Sequence, residues 1–311
     1  MSRRFLLLLV VSLFGCGGKG AASGADAKSA ADADPLALLP PSAIVVASLD
    51  AHAMYASGSV GSTLASFTDS LVPLGPDAGF LASRDVDRVV VSAYAGTSAD
   101  VAVVLSGRFD VDKVAAAAKT KSGAPIVRGT YAGFATDVVG AITIAPLTSK
   151  TLVAGTSERV HRVLDRLGAG PLARSIPPWV AETLGTPGAQ FAVTADFATQ
   201  PIASATLGSI SLSWLKGLQV VRAIGDFDAP GINVAGTLTY GDATQAQGAT
   251  DGMRFIDGWQ KLLAPLLLGA KVQNLQVSSV GNDVTCKFAL DDSSLRALLA
   301  LASRYAQPPT Q

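Results

Sequence analysis

Short runs in which apolar and polar residues alternate fill most of the chain, with turn-forming residues between them. Strict alternation marks a strand with one buried face, and apolar residues three and four apart mark a helix face. On this basis 42–49 is a strand, and Asp50 caps a helix opening Ala51-His52-Ala53-Met54-Tyr55. Residues 60–71 have helical spacing. Strands at 86–95 and 100–107 flank a hairpin signal, GTSA. Asp110 caps a helix through Lys119. Residues 126–145 form two or three strands broken at Arg128-Gly129 and Val139-Gly140, and 150–154 is another. Thr156 caps a helix over 157–167.

The order then starts again. Residues 190–195 form a strand ending in Asp196, followed by a helical stretch. Strands at 217–227 and 232–240 flank DAPG, and Asp242 caps a long helix reaching about Leu268. Strands at 271–280 and 283–290 meet at Gly281-Asn282, and Asp291 caps a last helix over 293–305. IVVASLD aligns with QFAVTAD, and DVDRVVVSAYAG with LQVVRAIGDFDAPG, which pairs Arg88 with Arg222. Shared element order is the warrant for two tandem related halves. Strands joined by hairpins run antiparallel. The expected fold class is therefore α+β, each half a mainly antiparallel sheet with helices packed on one face. The expected boundaries are 35–170 and 189–306 for the halves and 307–311 for a tail. The connector, 171–188, has a short helix carrying Trp179. Whether the halves share one sheet stays open at this level.

The first 34 residues fit neither half. Met1-Ser2-Arg3-Arg4 is basic, Phe5 to Phe14 is an apolar run, and Gly15 closes it before Cys16. A run of ten residues, nine of them apolar, is too short to span a bilayer, but the three parts are those of a secretory signal, 1–15. With Leu13-Phe14-Gly15-Cys16 the segment resembles a bacterial lipoprotein signal and its lipobox. That resemblance implies cleavage before Cys16, lipid on its sulfur and a further acyl chain on its amine. Several chains anchor stably where one does not. Gly17, where Asp would imply inner-membrane retention, points through the same resemblance to the outer membrane, periplasmic or surface side open. Ser2-Arg3-Arg4-Phe5-Leu6-Leu7 also resembles a twin-arginine export motif, so the export route stays open. Residues 17–34 have no apolar periodicity and read, with the lipidated Cys16, as a flexible tether over 16–34 spanning roughly 25 Å.

Charge narrows the function. The chain has 24 basic and 24 acidic residues; losing Arg3 and Arg4 leaves 22 against 24, a charge of −2. Without a basic footprint, nucleic acid is not an expected partner. Cys286 is then the second and last cysteine, so no internal disulfide forms. Alternation puts it on an apolar strand face with Val284, Phe288 and Leu290, as a structural residue.

Signatures of chemistry are few. The motif G-x-G-x-x-G spans 15–20, across the expected cleavage site and after no strand, so it is no dinucleotide site. No nucleophile elbow, phosphate loop or C-x-x-C occurs. His52 and His161 lack partners at zinc spacing, so no metal or cofactor is expected. Residues 226–231 start like a calcium loop, but Pro230 stands at position five and Thr237 at twelve, where a Glu is needed. Asp85 and Asp87, between Arg84 and Arg88, read as a surface charge cluster, and Asp50 and Asp196 as caps. No catalytic residue is expected and the chain does not read as an enzyme. One helix face is wider than a core stripe: Phe255, Trp259, Leu262, Leu263 and Leu266 are candidates to line an apolar ligand cavity. The expected function is a non-enzymatic, lipid-anchored cell-envelope protein serving binding or assembly through a protein partner. The alternative is a carrier of lipid or another apolar ligand between sheet and helices.

Overall fold

Strands β1 (Val45–Asp50) and β8 (Phe191–Asp196) lie side by side, antiparallel, with Ala47 opposite Val193. The computed structural model describes residues 24–96, 100–117, 119–202, 206–207, 210–211, 213–263 and 271–306; over 24–27, 206–213, 255–263 and 301–306 only the backbone is considered. Outward from β1 run β2 (Val86–Tyr94), β3 (Asp100–Gly107), β7 (Thr151–Gly155), β6 (Ile142–Pro146), β5 (Phe134–Val139) and β4 (Val127–Tyr131). Outward from β8 run β11 (Leu218–Asp226), β12 (Gly231–Tyr240), β14 (Asp283–Asp291) and β13 (Gln273–Val280). All neighbours are antiparallel, giving one sheet of 12 strands among the described residues. The fold is α+β, and the strands before and after the 171–188 connector belong to one sheet.

Helices lie over both faces of the first half. On the back face α2 (Ala51–Ala56), α3 (Gly61–Leu71), α4 (Ala82–Asp85) and α5 (Val111–Ala116) follow β1 and β3. Ala51, Val114 and Ala117 pack there with Val86, Ile144 and Leu152. On the front face α1 (Gly24–Ala33), α6 (Ser157–Gly168) and α7 (Pro178–Leu184) cover Val46, Val90, Val104, Val153 and Ala192. The strands explain this double cover. β7 reads Thr-Leu-Val-Ala-Gly, apolar on both parities, and such a strand must be buried on both sides. Helices on one face only is therefore not what the first half shows.

In the second half α8 (Ala243–Leu263) puts Ala246, Ala249 and Met253 on the back face against Leu218, Leu238, Tyr240 and Val284. α9 (Asp292–Ala306) is also at the back; its Leu295 packs with Met54, Val60 and Leu64 of the first half, and Asp292 accepts a hydrogen bond from Thr63, 2.6 Å.

Several local expectations change. Residues 24–33, expected in the tether, are helical: Ala31 is fully buried, Asp32 accepts hydrogen bonds from Thr148 and Thr151, both 2.6 Å, and Asp34 pairs with Arg174. Ala-rich composition favours helix, and these polar contacts dock it without a broad apolar stripe. The break expected at Arg128-Gly129 lies at Ala132-Gly133, both at positive φ, as a two-residue hairpin demands. After β8 the described residues form no helix but β9 (Thr206–Leu207), β10 (Ile210–Ser211) and a 3-10 turn at Ser213–Leu215. Arg88 faces Asp50, whereas Asp196 faces Val220, so Arg88 and Arg222 do not occupy matching register positions. Among the described residues, no helix is long and apolar enough to cross a membrane.

Candidate functional site

Strand β14 decides the character of the front face. Its even positions, Val284, Cys286, Phe288 and Leu290, point to the back; its odd positions, Thr285, Lys287 and Ala289, point to the front. Register continues that face through Asn233, Ala235 and Thr237 on β12, Arg222 and Ile224 on β11, and Gln276 and Ser278 on β13. Arg222, Gln276, Ser278, Thr285 and Lys287 are all exposed. Among the described residues only α7 borders this floor. Trp179 and Thr183 of α7, with Thr186 just beyond its end, rise beside it, giving a ledge with one wall.

Two connected hollows lie on the ledge. One, of about 400 Å³, is lined by Trp179, Thr183, Thr186, Arg222, Thr237 and Lys287 among others. The second, of about 510 Å³, shares Ile224, Ala235 and Lys287 and runs on to Asn274 and Gln276 of the outermost strand. The Arg222 guanidinium lies over the Trp179 ring, 5.5 Å from its centroid, a cation–π contact. Neither Arg222 nor Lys287 has an ion pair or a hydrogen bond to a described residue, and the Thr237 hydroxyl makes none either. Glu182 lines the first hollow from the outer turn of α7 and is exposed.

On the other side of Trp179 a more enclosed cavity, of about 320 Å³, lies between the chain before β1, the connector and the end of β8. Ile44, Val46, Ile176 and Val180 give it apolar walls, and Ser42, Thr194, Asp196 and Gln200 polar ones.

The residues singled out in the sequence fall elsewhere. Cys16 and Leu266 lie outside the described residues. Phe255, Trp259, Leu262 and Leu263 fall on α8, where the backbone alone is considered. Four caps form as expected: Asp50 accepts from the Ala53 amide at 2.8 Å, Asp110 from Lys113 at 3.1 Å, Asp242 from Gln245 at 2.8 Å and Asp291 from Ser294 at 2.8 Å. Asp196, also expected to cap, instead accepts from the Ala198 amide two residues on, at 3.0 Å, and no described helix follows it directly. Thr156 does not cap α6; its hydroxyl donates to Asp100, which also pairs with Arg159 at 2.6 Å. Asp85 pairs with Arg84 at 2.6 Å. His161 stacks on Tyr131, centroids 3.7 Å apart. In 226–231 the Asp226 carboxylate accepts from the Asn233 side chain and the Asp228 amide, which is hairpin chemistry. Burial pushes the Cys286 thiol up, toward the unreactive form. Among the described residues no three potential ligand side chains cluster as a metal would need.

Sequence reasoning missed the ledge. Its signal was present: Thr285, Lys287, Thr237, Gln276 and Ser278 put polar residues on one parity of three successive strands, while β3 and β7 are apolar on both.

No protein-family model matches the chain, and no curated protein matches it. Solved structures do resemble it. The structure of TP0453 in crystal form I superposes with a TM-score of 0.55 at 14% sequence identity, covering 86% of this chain and 97% of that one. Crystal form III gives 0.54 at 12% identity, covering 86% and 98%. At that identity the likeness is one of fold.

Proposed function

We propose that the chain is a non-enzymatic, lipid-anchored protein of the cell envelope that binds a partner on the front ledge of its second half. The observation carrying this reading is the bare polar floor beside α7, in a sheet whose other front strands are covered by α1, α6 and α7. An exposed sheet face bordered by Trp and Arg presents the residue types that dominate binding hot spots. The address comes from the sequence: Cys16 would carry the lipid, the membrane would be one partner, and nucleic acid would not be.

The address is tested by mass spectrometry of the N-terminal peptide from a membrane fraction, where acylated Cys16 is expected and an unmodified Met1 end would refute the anchor. The ledge is tested by placing a photo-crosslinking residue at position 285 in cells, with position 162 on the exposed outer side of α6 as control. One protein cross-linked from 285 and absent from 162 supports the reading. Indistinguishable products from both positions would sink it.

A further inference from the structure

The chemistry at the centre of the ledge narrows what it holds. Most described arginines are spent on a carbonyl, hydroxyl or carboxylate: Arg84 on Asp85, Arg159 on Asp100, Arg174 on Asp34, Arg296 on Asp292, Arg88 on Ser48, and Arg128 and Arg166 on backbone carbonyls. Arg222 is spent on none. Its guanidinium lies over the ring of Trp179, 5.5 Å from the centroid, a contact that uses none of its N–H groups. Thr237 is its cross-strand partner, and the Thr237 hydroxyl bonds no described residue. Lys287 projects from the same face two strands away and two residues along, about 12 Å from Arg222 at the Cα atoms by ordinary strand spacing. Both side chains are long enough to meet over the Thr237 and Ala235 floor. Glu182, the one carboxylate of that hollow, stands on the outer turn of α7 and pairs with neither cation.

A planar guanidinium, an ammonium and a hydroxyl on one wall-backed floor form a set dominated by donors, two of them charged. Such a set matches the oxygens of a carboxylate or a phosphate, which Arg binds through two parallel bonds. We infer that the hollow between Trp179, Arg222, Thr237 and Lys287 is an oxyanion-binding site, taking the carboxylate or phosphate group of whatever occupies the ledge. This rests on the reading of the ledge as the binding face. Arg222 supplies the fork of N–H donors, Lys287 a second charge, and Ile224 with Ala235 an apolar strip for the attached carbon frame.

The test titrates the chain from Gly17 to Gln311, which contains every described element, by calorimetry at constant ionic strength. The probes are inorganic phosphate, citrate and phosphatidylglycerol vesicles. Saturable binding of at least one probe is expected. Loss of a charge-assisted contact corresponds to about tenfold, so Arg222→Gln should weaken binding roughly tenfold and Lys287→Gln less, while Glu182→Gln tightens it. Arg162→Gln, on a solvent-facing pair of α6, should leave it unchanged. A response to phosphate or citrate assigns a soluble anion. A response to vesicles alone, lost in the same variants, assigns a lipid headgroup. Failure of all three probes, or binding that Arg222→Gln and Lys287→Gln leave untouched, overturns the site. In that event a cross-link still captured from position 285 keeps the ledge as a binding face and discards only its oxyanion chemistry; loss of both discards the ledge.

Discussion

The front face of the sheet is two surfaces. Across β3, β7 and β6 it presents Ala102, Val104, Val153 and Ala145, all buried beneath α6. Across β12, β14 and β13 it presents Thr237, Thr285, Lys287 and Gln276 to solvent. In each half the last long strand is followed at once by a helix, α6 after β7 and α9 after β14, yet the first helix goes to the front and the second to the back. Two sequence differences account for it. The face α6 covers is apolar, so burying Val160, Val163, Leu164 and Leu167 is favourable by about 1.5–3 kcal/mol each. The corresponding polar face would be desolvated by a helix with nothing gained. The exits also differ. Gly155 ends β7 at φ +151°, a backbone state closed to other residues, while Asp291 ends β14 and caps α9 directly. Helix placement here follows the parity of polar residues in the strands, and the open surface is what the second arrangement leaves.

Removing one side chain from each surface separates the two most strongly. Leu164→Ala beneath the first front face should cost about 2–5 kcal/mol, because a fully buried leucine leaves a cavity. Thr285→Ala on the second should change stability by less than about 0.5 kcal/mol. Chemical denaturation of both variants measures this; equal losses would mean that the ledge is covered and the contrast false. The next effect concerns the exit. Gly155→Ala puts a Cβ against the Val101 carbonyl in a strained backbone region, at about 1–3 kcal/mol. The same denaturation experiment applies, and a neutral result would remove Gly155 from the account of why α6 reaches the front.

Much of this fold was legible in the chain. Asp50, Asp110, Asp242 and Asp291 announced helix starts, because a short acidic side chain meeting free amides is a local event. Alternation located the strands of the main sheet within a few residues. The edge between β1 and β8 was not legible: Val46 and Thr194 carry nothing that says they are neighbours, and pairing across 148 positions is a tertiary outcome. Helix α1 was missed because Asp32 and Asp34 look like solvating charges until Thr148, Thr151 and Arg174 are beside them. The ledge was missed for a different reason. Histidines and paired carboxylates are local signatures, whereas the ledge is written as a parity: threonine, lysine and glutamine on one side of strands that a buried sheet would have made apolar.

The smallest effect tests how complete the cover of the first half is. Asp137 on β5 is 5% exposed, and Arg128 across from it donates to the Ala117 carbonyl at 2.9 Å. Burial raises the Asp137 carboxyl above its ordinary range, with Arg128 only partly opposing. A carboxyl raised in the folded state contributes stability at low pH and loses it as pH rises from about 4 through the folded value. Asp100 is the opposite case. The hydrogen bond from Arg159, aided by Thr156, lowers its carboxyl, so its contribution is present above about 4 and lost as pH falls through the lower folded value. Asp137→Asn should therefore melt above the parent at pH 7 and converge with it near pH 3, while Asp100→Asn should melt below the parent at pH 7 and converge as the solution is acidified. Calorimetric melting of both variants across that window decides it. An Asp137→Asn variant no more stable than the parent at pH 7 would mean that water reaches this carboxylate, and that the cover distinguishing the first half from the open ledge is thinner there than the packing of Val139 and Ile144 implies.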